Sequence, residues 1–382
     1  MTSHQGLRLA LAGGGTGGHL VPGLHLLSQL VRRAEEGQGP GLSSVVWFTS
    51  GRAVEERVLE GLESTLGGIP CERVALPVEP DGGGAPSLLR TGVRMAPAAA
   101  RARRAMRAAR SEVLLGLGGF VCAPAVLAAR SRATPAALLE INAQRGKATR
   151  LLSPLCSRVF HAWTRTMPDR PGRKHLRTGP PLAPGFVPRT PDPDVPRAAR
   201  RELGFDPERP LLLVLGGSQG AAALNRFVAE EGDVWLESGI QVLHQTGPGR
   251  LEEGGAPRDR QRTVEYLDDV PTALRAATPF DTLGTLIHDA RFSLATAVLA
   301  GFGRAIAEVG AVGVPAWVVP YPHHQDRHQE YNARELGGGV RLVPEGALDR
   351  NQAKELGAYL GSEGHFDRER MATALQGCVP VD

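Results

Sequence analysis

Short apolar runs alternate with longer amphipathic stretches along most of the chain. Runs at Leu7–Ala12, Val45–Thr49, Arg73–Leu76, Glu112–Gly116, Ala136–Glu140 and Arg158–Ala162 have the length and residue types of strands, with helical periodicity between them. A second series follows at Leu211–Leu215, Gln241–Gln245, Thr263–Tyr266, Ala316–Pro320 and Val340–Val343. Helices fit near Gln219–Glu231, Pro271–Ala277, Arg304–Val312, Asp326–Leu336 and Asn351–Leu360. Strands separated by helices predict parallel sheets covered on both faces. Thr278–Leu299 is a ladder of small and apolar residues without a clear period, which fits a strand plus a surface insertion and gives no firm boundaries.

Nine prolines fall between Pro168 and Pro196, a density that neither a helix interior nor a central strand tolerates. The expected organisation is therefore an N-terminal domain over 1–167, a connection over 168–209 and a second domain over 210–364. A C-terminal helix over 365–382 could pack back on the first domain. The fold class expected is α/β, with two Rossmann-like, doubly wound parallel-sheet domains facing a cleft.

Two glycine-rich turns carry the chemistry. Gly13-Gly14-Gly15-Thr16-Gly17-Gly18-His19 follows the first strand, and Gly216-Gly217-Ser218-Gln219-Gly220-Ala221 follows the strand at Leu211–Leu215. Strand, glycine turn and helix together aim backbone N–H groups and a positive helix end at an anion. The first turn satisfies GxGxxG, but the second strand ends Thr49-Ser50-Gly51-Arg52, without the acid that a nicotinamide dinucleotide's ribose requires. Gly146-Lys147-Ala148 lacks the hydroxyl residue and the upstream glycine of a P-loop. His19 falls at a helix start on the ligand-binding edge of the sheet, where an imidazole can act as a general base.

Composition narrows the classes. The 382 residues are 42% apolar and 22% charged, as in a globular protein with real cores. No apolar stretch approaches the ~18 to 20 residues that span a bilayer, and the N-terminus has no signal-peptide pattern, so a cytoplasmic protein is expected. Cys71, Cys122, Cys156 and Cys378 are scattered, which argues against a disulfide framework or a metal site. The net charge of +4 conceals a basic half (24 Lys and Arg against 12 Asp and Glu in residues 1–185) and an acidic one (20 against 28). With only 5% aromatic residues and none interleaved in the basic stretch, nucleic acid is the weakest candidate partner.

The first glycine turn, continuing Leu20-Val21-Pro22-Gly23-Leu24, resembles that of the MurG family of N-acetylglucosaminyltransferases. Further similarities run in order along the chain. They are Gly116-Leu117-Gly118-Gly119-Phe120-Val121-Cys122-Ala123-Pro124; Glu140-Ile141-Asn142-Ala143 with Gly146; and Thr178-Gly179-Pro180-Pro181. Then come the second glycine turn with Leu224-Asn225, His244-Gln245-Thr246-Gly247, Leu267-Asp268-Asp269, Glu308, and Pro320-Tyr321-Pro322-His323 through Asp326, Gln329, Asn332 and Ala333.

The resemblance implies a GT-B fold and an inverting transferase. It would move N-acetylglucosamine from UDP-N-acetylglucosamine to the C4 hydroxyl of lipid I, giving lipid II for peptidoglycan synthesis at the cytoplasmic face of the membrane. Gly217, Ser218 and Gln219 would meet the donor diphosphate, Glu308 the ribose hydroxyls, and His328, Gln329 and Asn332 the sugar. Thr16, Gly17, Gly18 and Asn142 would complete the donor side. Gly14, Gly15, Gly118 and Gly119 would cradle the acceptor diphosphate, which Asn142 also faces, and His19 would take the acceptor's proton. No metal or cofactor is implied, the nucleotide sugar being a co-substrate.

The chain departs from the family pattern in places. Leu139 and Ile141 stand for a histidine and a glutamine beside Glu140, Thr149 for an asparagine and Ala183 for an arginine. Ala300 and Ala305 stand for an arginine and a threonine before Glu308. These changes leave room for a different acceptor, or for a non-catalytic member that binds nucleotide sugar or membrane. Between Leu88 and Arg110 the chain carries arginines at 90, 94, 101, 103, 104, 107 and 110 and no acid, with Leu88, Leu89, Val93, Met95 and Met106 among them. Arg90, Arg94, Arg101, Arg104 and Arg107 are expected to meet an anionic leaflet, helped by inserted apolar side chains.

Overall fold

A computed structural model describes the chain except for residues 1–5, 16, 77, 79–84, 169–173, 184–185, 187–191, 193, 217–219, 266, 268–269, 278–295, 301–302, 323–326, 362–364, 377 and 380–382. Two compact units divide between Pro184 and Gly185. In the first, the order is β1 (Leu7–Gly13), α1 (Gly17–Glu35), β2 (Leu42–Thr49), α2 (Ala53–Leu59), α3 (Leu62–Leu66), β3 (Cys71–Ala75), α4 (Ala85–Ala108), β4 (Val113–Gly118), α5 (Cys122–Arg130), β5 (Ala136–Glu140), α6 (Lys147–Leu152), β6 (Arg158–His161) and β7 (His175–Arg177). Every pairing is parallel, in the order β3-β2-β1-β4-β5-β6-β7.

In the second unit the order is α7 (Asp194–Glu202), β8 (Leu211–Leu215), α8 (Ala222–Glu237), β9 (Gln241–Gln245), β10 (Gln261–Val264), α9 (Val270–Ala276), β11 (Thr296–Ala300), α10 (Gly303–Val312), β12 (Ala316–Val319), α11 (His328–Arg334), β13 (Val340–Leu342), α12 (Arg350–Leu360) and α13 (His365–Leu375). Its parallel sheet runs β10-β9-β8-β11-β12-β13. The central strands β1, β5 and β8 are buried almost throughout, which explains why they read as continuous apolar runs rather than alternating ones. Each face of the first sheet covers its own core: one gathers Ala10, Val46, Leu114 and Met106, the other Leu11, Trp47, Leu20 and Leu115.

Three elements, β11, β7 and α7, have no bounded counterpart in the sequence reading. β11 forms inside the stretch left without boundaries and takes the centre of the second sheet, between β8 and β12. The proline-rich segment contributes β7, the last strand of the first sheet among the described residues, beside β6, and α7. Both are compatible with the prolines around them: none falls within β7, and Pro196 sits in the first turn of α7, where its missing N–H has no intrahelical partner to lose. The C-terminal α13 packs on α12 and on the turn at Gly337–Gly339, within the second unit.

α4 buries Ala98, Ala102, Ala105 and Met106 against the sheet and exposes Arg94, Arg101, Arg103, Arg104 and Arg107. Met106 therefore belongs to the core, and the expectation that it inserts into a membrane is corrected. The side chains of Leu88, Leu89, Arg90 and Val93 lie outside the described residues.

α1 crosses the first sheet closely at Gly23, where an added Cβ would lie 2.6 Å from Leu117 Cδ1 and 2.8 Å from the Trp47 ring. Trp47 cannot easily turn away, because its Nε1–H donates to Gly13 O at 3.2 Å. Gly23→Ala is expected to destabilise the unit by about 1 to 3 kcal/mol through overpacking, offset by at most ~1 kcal/mol of helix propensity. Urea unfolding checks this; an unchanged midpoint would mean that Leu117 moves aside without cost.

Candidate functional site

In an open parallel sheet, ligands bind beyond the carboxyl ends of the strands, where the winding reverses direction. The first sheet reverses between β1 and β4. The two N-terminal glycine loops leave those strands, with Gly13 and Gly118 opposite each other in the ladder. The reversal thus brings together loops a hundred residues apart in sequence.

His19 stands between them on the first turn of α1. Its Nδ1 lies 3.2 Å from Gly14 O and donates to it, which leaves Nε2 as the accepting nitrogen. Gly118 (φ 116°) and Gly119 (φ 80°) form the opposing wall. A Cβ on Gly118 would stand 2.5 Å from His19 Cδ2 and 2.8 Å from Nε2, so only glycine lets the backbone approach the imidazole this closely. Burial holds the His19 imidazole below its ordinary pKa; the Gly14 carbonyl and the charge of Glu140 pull it upward without cancelling that effect. A ring kept neutral near pH 7 can accept a proton.

The wall is anchored from below. Cys122 Sγ lies 3.1 Å from both Ala12 O and Gly118 O, which share its one S–H, and accepts from Gly118 N–H at 3.2 Å, tying the ends of β1 and β4. Burial pushes its thiol up to about 12. Beside it, at the end of β5, the buried Glu140 accepts from Asn142 N–H (3.1 Å), Asn142 Nδ2 (3.2 Å), Gly146 N–H (2.8 Å) and Thr149 Oγ1 (2.7 Å).

Glu55 escapes a motif-based reading. From the first turn of α2 it reaches back under the first glycine loop, with 1% of its surface exposed. Oε1 accepts from Gly15 N–H (2.5 Å), Ser50 N–H (3.1 Å) and Ser50 Oγ (2.6 Å); Oε2 accepts from Gly51 N–H (2.8 Å) and Arg52 N–H (3.2 Å). Burial alone would raise its pKa, but the bonds from Ser50, Gly15 and Gly51 outweigh it and keep the group a carboxylate. The Gly15 amide, expected to face an anionic ligand, is therefore engaged by Glu55. The available signal was a glutamate three residues after the Arg52 N-cap position, following a Ser-Gly strand end.

Of the other residues expected on this side, Gly14 is buried, Gly17 opens α1 and Gly18 is exposed on its first turn; Thr16 lies outside the described residues.

The second sheet reverses between β8 and β11. Gly217, Ser218 and Gln219, at the end of β8, lie outside the described residues. Their flanks are fixed: Gly216 N–H donates to Gln245 O at 3.2 Å, and α8 starts at Ala222. Below, Asn225 Nδ2 donates to Thr246 O (3.1 Å) and Glu253 Oε2 (3.0 Å), while its Oδ1 accepts from His244 Nε2 at 3.0 Å. Burial lowers the His244 pKa to about 4.

Glu308, on the helix after β11, retains 3% of its surface. His328 is half-buried at the start of α11. Gln329 Oε1 accepts Tyr321 N–H at 2.7 Å and lines a cavity of about 540 Å³ with Pro320, Arg327, Glu330 and Arg334. Asn332 has no accessible surface, a placement suited to supporting the helix rather than touching a ligand directly. Among the described residues no cluster of His, Cys, Asp and Glu could hold a metal ion.

Both units match known families. Residues 9–161 match the glycosyltransferase family 28 N-terminal domain, and residues 211–341 the glycosyltransferase family 28 C-terminal domain. A curated relative from Frankia casuarinae is 33% identical over 347 residues, covering 89% of this chain and 83% of its own. Another, from Synechococcus sp. (strain CC9902), is 34% identical over 364 residues, covering 93% and 89%. Both are named UDP-N-acetylglucosamine--N-acetylmuramyl-(pentapeptide) pyrophosphoryl-undecaprenol N-acetylglucosamine transferase. The crystal structure of Acinetobacter baumannii MurG is similar in fold, with a TM-score of 0.65 at 21% identity over 96% of this chain and 94% of that one.

Proposed function

The chain belongs to glycosyltransferase family 28, and from that premise we propose that it converts lipid I to lipid II, taking N-acetylglucosamine from UDP-N-acetylglucosamine. It is a glycosyltransferase of the two-domain GT-B class. The observation that carries the reading is the near full-length likeness to relatives bearing this activity's name. His19 held between two glycine loops at the first sheet's winding reversal supports it.

The acceptor's C4 hydroxyl oxygen forms the new bond to the anomeric carbon as that carbon's bond to the diphosphate breaks, the electron pair leaving with UDP. His19 Nε2 takes the hydroxyl proton, a role suited to a neutral imidazole with Nδ1–H already committed to Gly14 O. The oxocarbenium-like transition state needs its leaving charge balanced, which backbone N–H groups of Gly217, Ser218 and Gln219 supply. Glu308 accepts from both ribose hydroxyls. Gly118 and Gly119 approach the acceptor diphosphate. His328 and Gln329 meet the sugar, with Asn332 holding their helix.

The exposed arginines of α4 suit an anionic leaflet, each contributing about 1 kcal/mol near such a surface. No helix among the described residues is long and apolar enough to cross a membrane. The enzyme on this reading works as a peripheral protein on the cytoplasmic face.

Purified protein supplied with UDP-N-acetylglucosamine and a lipid I analogue is expected to release UDP and form a product heavier by one N-acetylhexosamine; no release with this acceptor would refute the reading. Glu308→Gln is expected to weaken donor binding ~10- to 100-fold, since charge-assisted hydrogen bonds are worth ~1.5 to 3 kcal/mol. Calorimetry reporting unchanged affinity in the folded variant would remove Glu308 from the donor site. His19→Ala is expected to lower turnover ~10²- to 10⁴-fold with a smaller effect on donor affinity. Normal turnover at saturating acceptor would leave His19 a structural role. Changing Arg101, Arg104 and Arg107 together to Glu is expected to release the protein from anionic vesicles and spare activity on a water-soluble acceptor. Wild-type binding should also weaken with salt, as charges beyond ~8 Å are screened at physiological ionic strength. Equal sedimentation of variant and wild type would reduce α4 to a solvated helix.

A further inference from the structure

One peptide group joins Glu55 to His19. The N–H of Gly15 donates to Glu55 Oε1 at 2.5 Å, and the carbonyl oxygen of that same peptide unit, Gly14 O, accepts from His19 Nδ1 at 3.2 Å. A trans peptide is planar and stiff, so fixing its N–H end fixes the direction of its C=O end. We infer that Glu55 is a positioning residue for His19, acting through the Gly14–Gly15 peptide to hold the imidazole with hydrogen on Nδ1 and with Nε2 accepting. The inference rests on the reading of His19 as the base.

Two effects run through this connection. The first is orientation. Glu55 is held by Ser50, Gly51 and Arg52 as well as Gly15, so it is a fixed point from which the loop hangs. There is no slack at Gly14, where a Cβ would come within 2.6 Å of Glu55 Oε1. The second is polarisation. A carboxylate accepting from an amide N–H increases the negative charge on the amide oxygen, because hydrogen bonds in series strengthen one another. Gly14 O then becomes a better partner for Nδ1–H, and best when the ring has taken a proton and become an imidazolium.

The arrangement is that of a carboxylate behind a catalytic histidine, with a peptide group inserted between the two. Arg52 and Glu140 bring further charge to the assembly. Arg52 Nη1 lies 3.5 Å from Gly15 O, and Glu140, at the end of β5, raises the affinity of His19 for a proton. The Gly118–Gly119 wall brings no charge.

The test is a double-mutant cycle on the whole enzyme with a soluble acceptor. Glu55→Gln keeps the shape and removes the charge. It is expected to lower kcat ~10- to 100-fold, the usual cost of losing a supporting partner, with the donor KM changed less than twofold. The acid limb of the kcat/KM profile should move to lower pH, because the imidazolium loses support. In the His19→Ala background, where no imidazole remains to be held, Glu55→Gln should cost nothing further.

An equal loss in both backgrounds, or an unmoved acid limb, would make Glu55 a structural residue and overturn the inference while leaving His19 as the base. Normal turnover by His19→Ala would overturn the base reading and the inference with it. Thermal melts establish that each variant is folded. Should Glu55→Gln not fold, Ser50→Ala, which removes the 2.6 Å bond to Oε1, takes its place with the same outcomes at smaller size. The wild-type enzyme gives an independent reading: ¹⁵N spectra, with His19 assigned by its loss in His19→Ala, should show hydrogen on Nδ1. Hydrogen on Nε2 would overturn the inference whatever the variants do.

Discussion

A parallel strand cannot reach its neighbour by a short turn; the chain must cross over one face of the sheet, and each crossover is right-handed. To cover both faces the winding has to reverse once, and at the reversal the two central strands send their loops to opposite sides. That geometric necessity opens the space between β1 and β4 and between β8 and β11. It also explains why the chemistry-bearing residues come from distant parts of the sequence. In the first unit His19 and Gly118 stand against one another because β1 and β4 are adjacent, and they are adjacent because β2 and β3 lie on the other side.

A crevice so formed has walls of bare loop, and loops rich in glycine have little to hold them in one shape. The first unit supplies the missing rigidity with buried carboxylates. Glu55 and Glu140 each sit at the carboxyl edge of the sheet with about a twentieth of their surface exposed or less. Burying an isolated carboxylate would be prohibitive. Here each is surrounded by N–H and O–H donors, and hydrogen bonds to a charged group are worth ~1.5 to 3 kcal/mol apiece. Because the donors are mainly the amides of the loops themselves, the bonds that offset burial also fix the loop conformation. The second unit uses neutral groups for the same purpose: Asn225 and His244 bridge α8 to the end of β9.

Much of this was legible in the sequence. The buried strands β5, β8 and β9 have the bounds that the sequence suggests. The strand that Thr278–Leu299 suggested had no readable bounds, because Thr296-Ala297-Val298-Leu299-Ala300 is embedded in small residues that set no period. β7 and α7 are masked by the proline density around them, although no proline falls within β7 and the one in α7 sits in its first turn. In the site, His19 and the glycine pairs were visible as motif residues, their spacing being dictated by the turn. Glu55 could be read only as a capping glutamate after Arg52; that pattern does not say that its carboxylate also turns back beneath a loop forty residues earlier in the chain. Met106 misled for a related reason: an apolar residue among arginines looks the same whether it faces a core or a membrane, and only the 98, 102, 105, 106 spacing separates the two.

The departures around Glu140 follow the same physics. Leu139 is buried in the core face of β5, and Ile141 packs at its margin, so the residues flanking Glu140 are apolar where the family pattern has polar side chains. The carboxylate nevertheless lacks nothing, because Asn142, Gly146 and Thr149 furnish four donors and Thr149 Oγ1 makes the shortest of these bonds. Its charge is still felt at His19, where it opposes the effect of burial. A polar-to-apolar change beside a buried carboxylate is tolerable when other donors already satisfy it. The substitutions at 139 and 141 therefore change what surrounds the loop after β5 and leave the charge of Glu140 acting on His19.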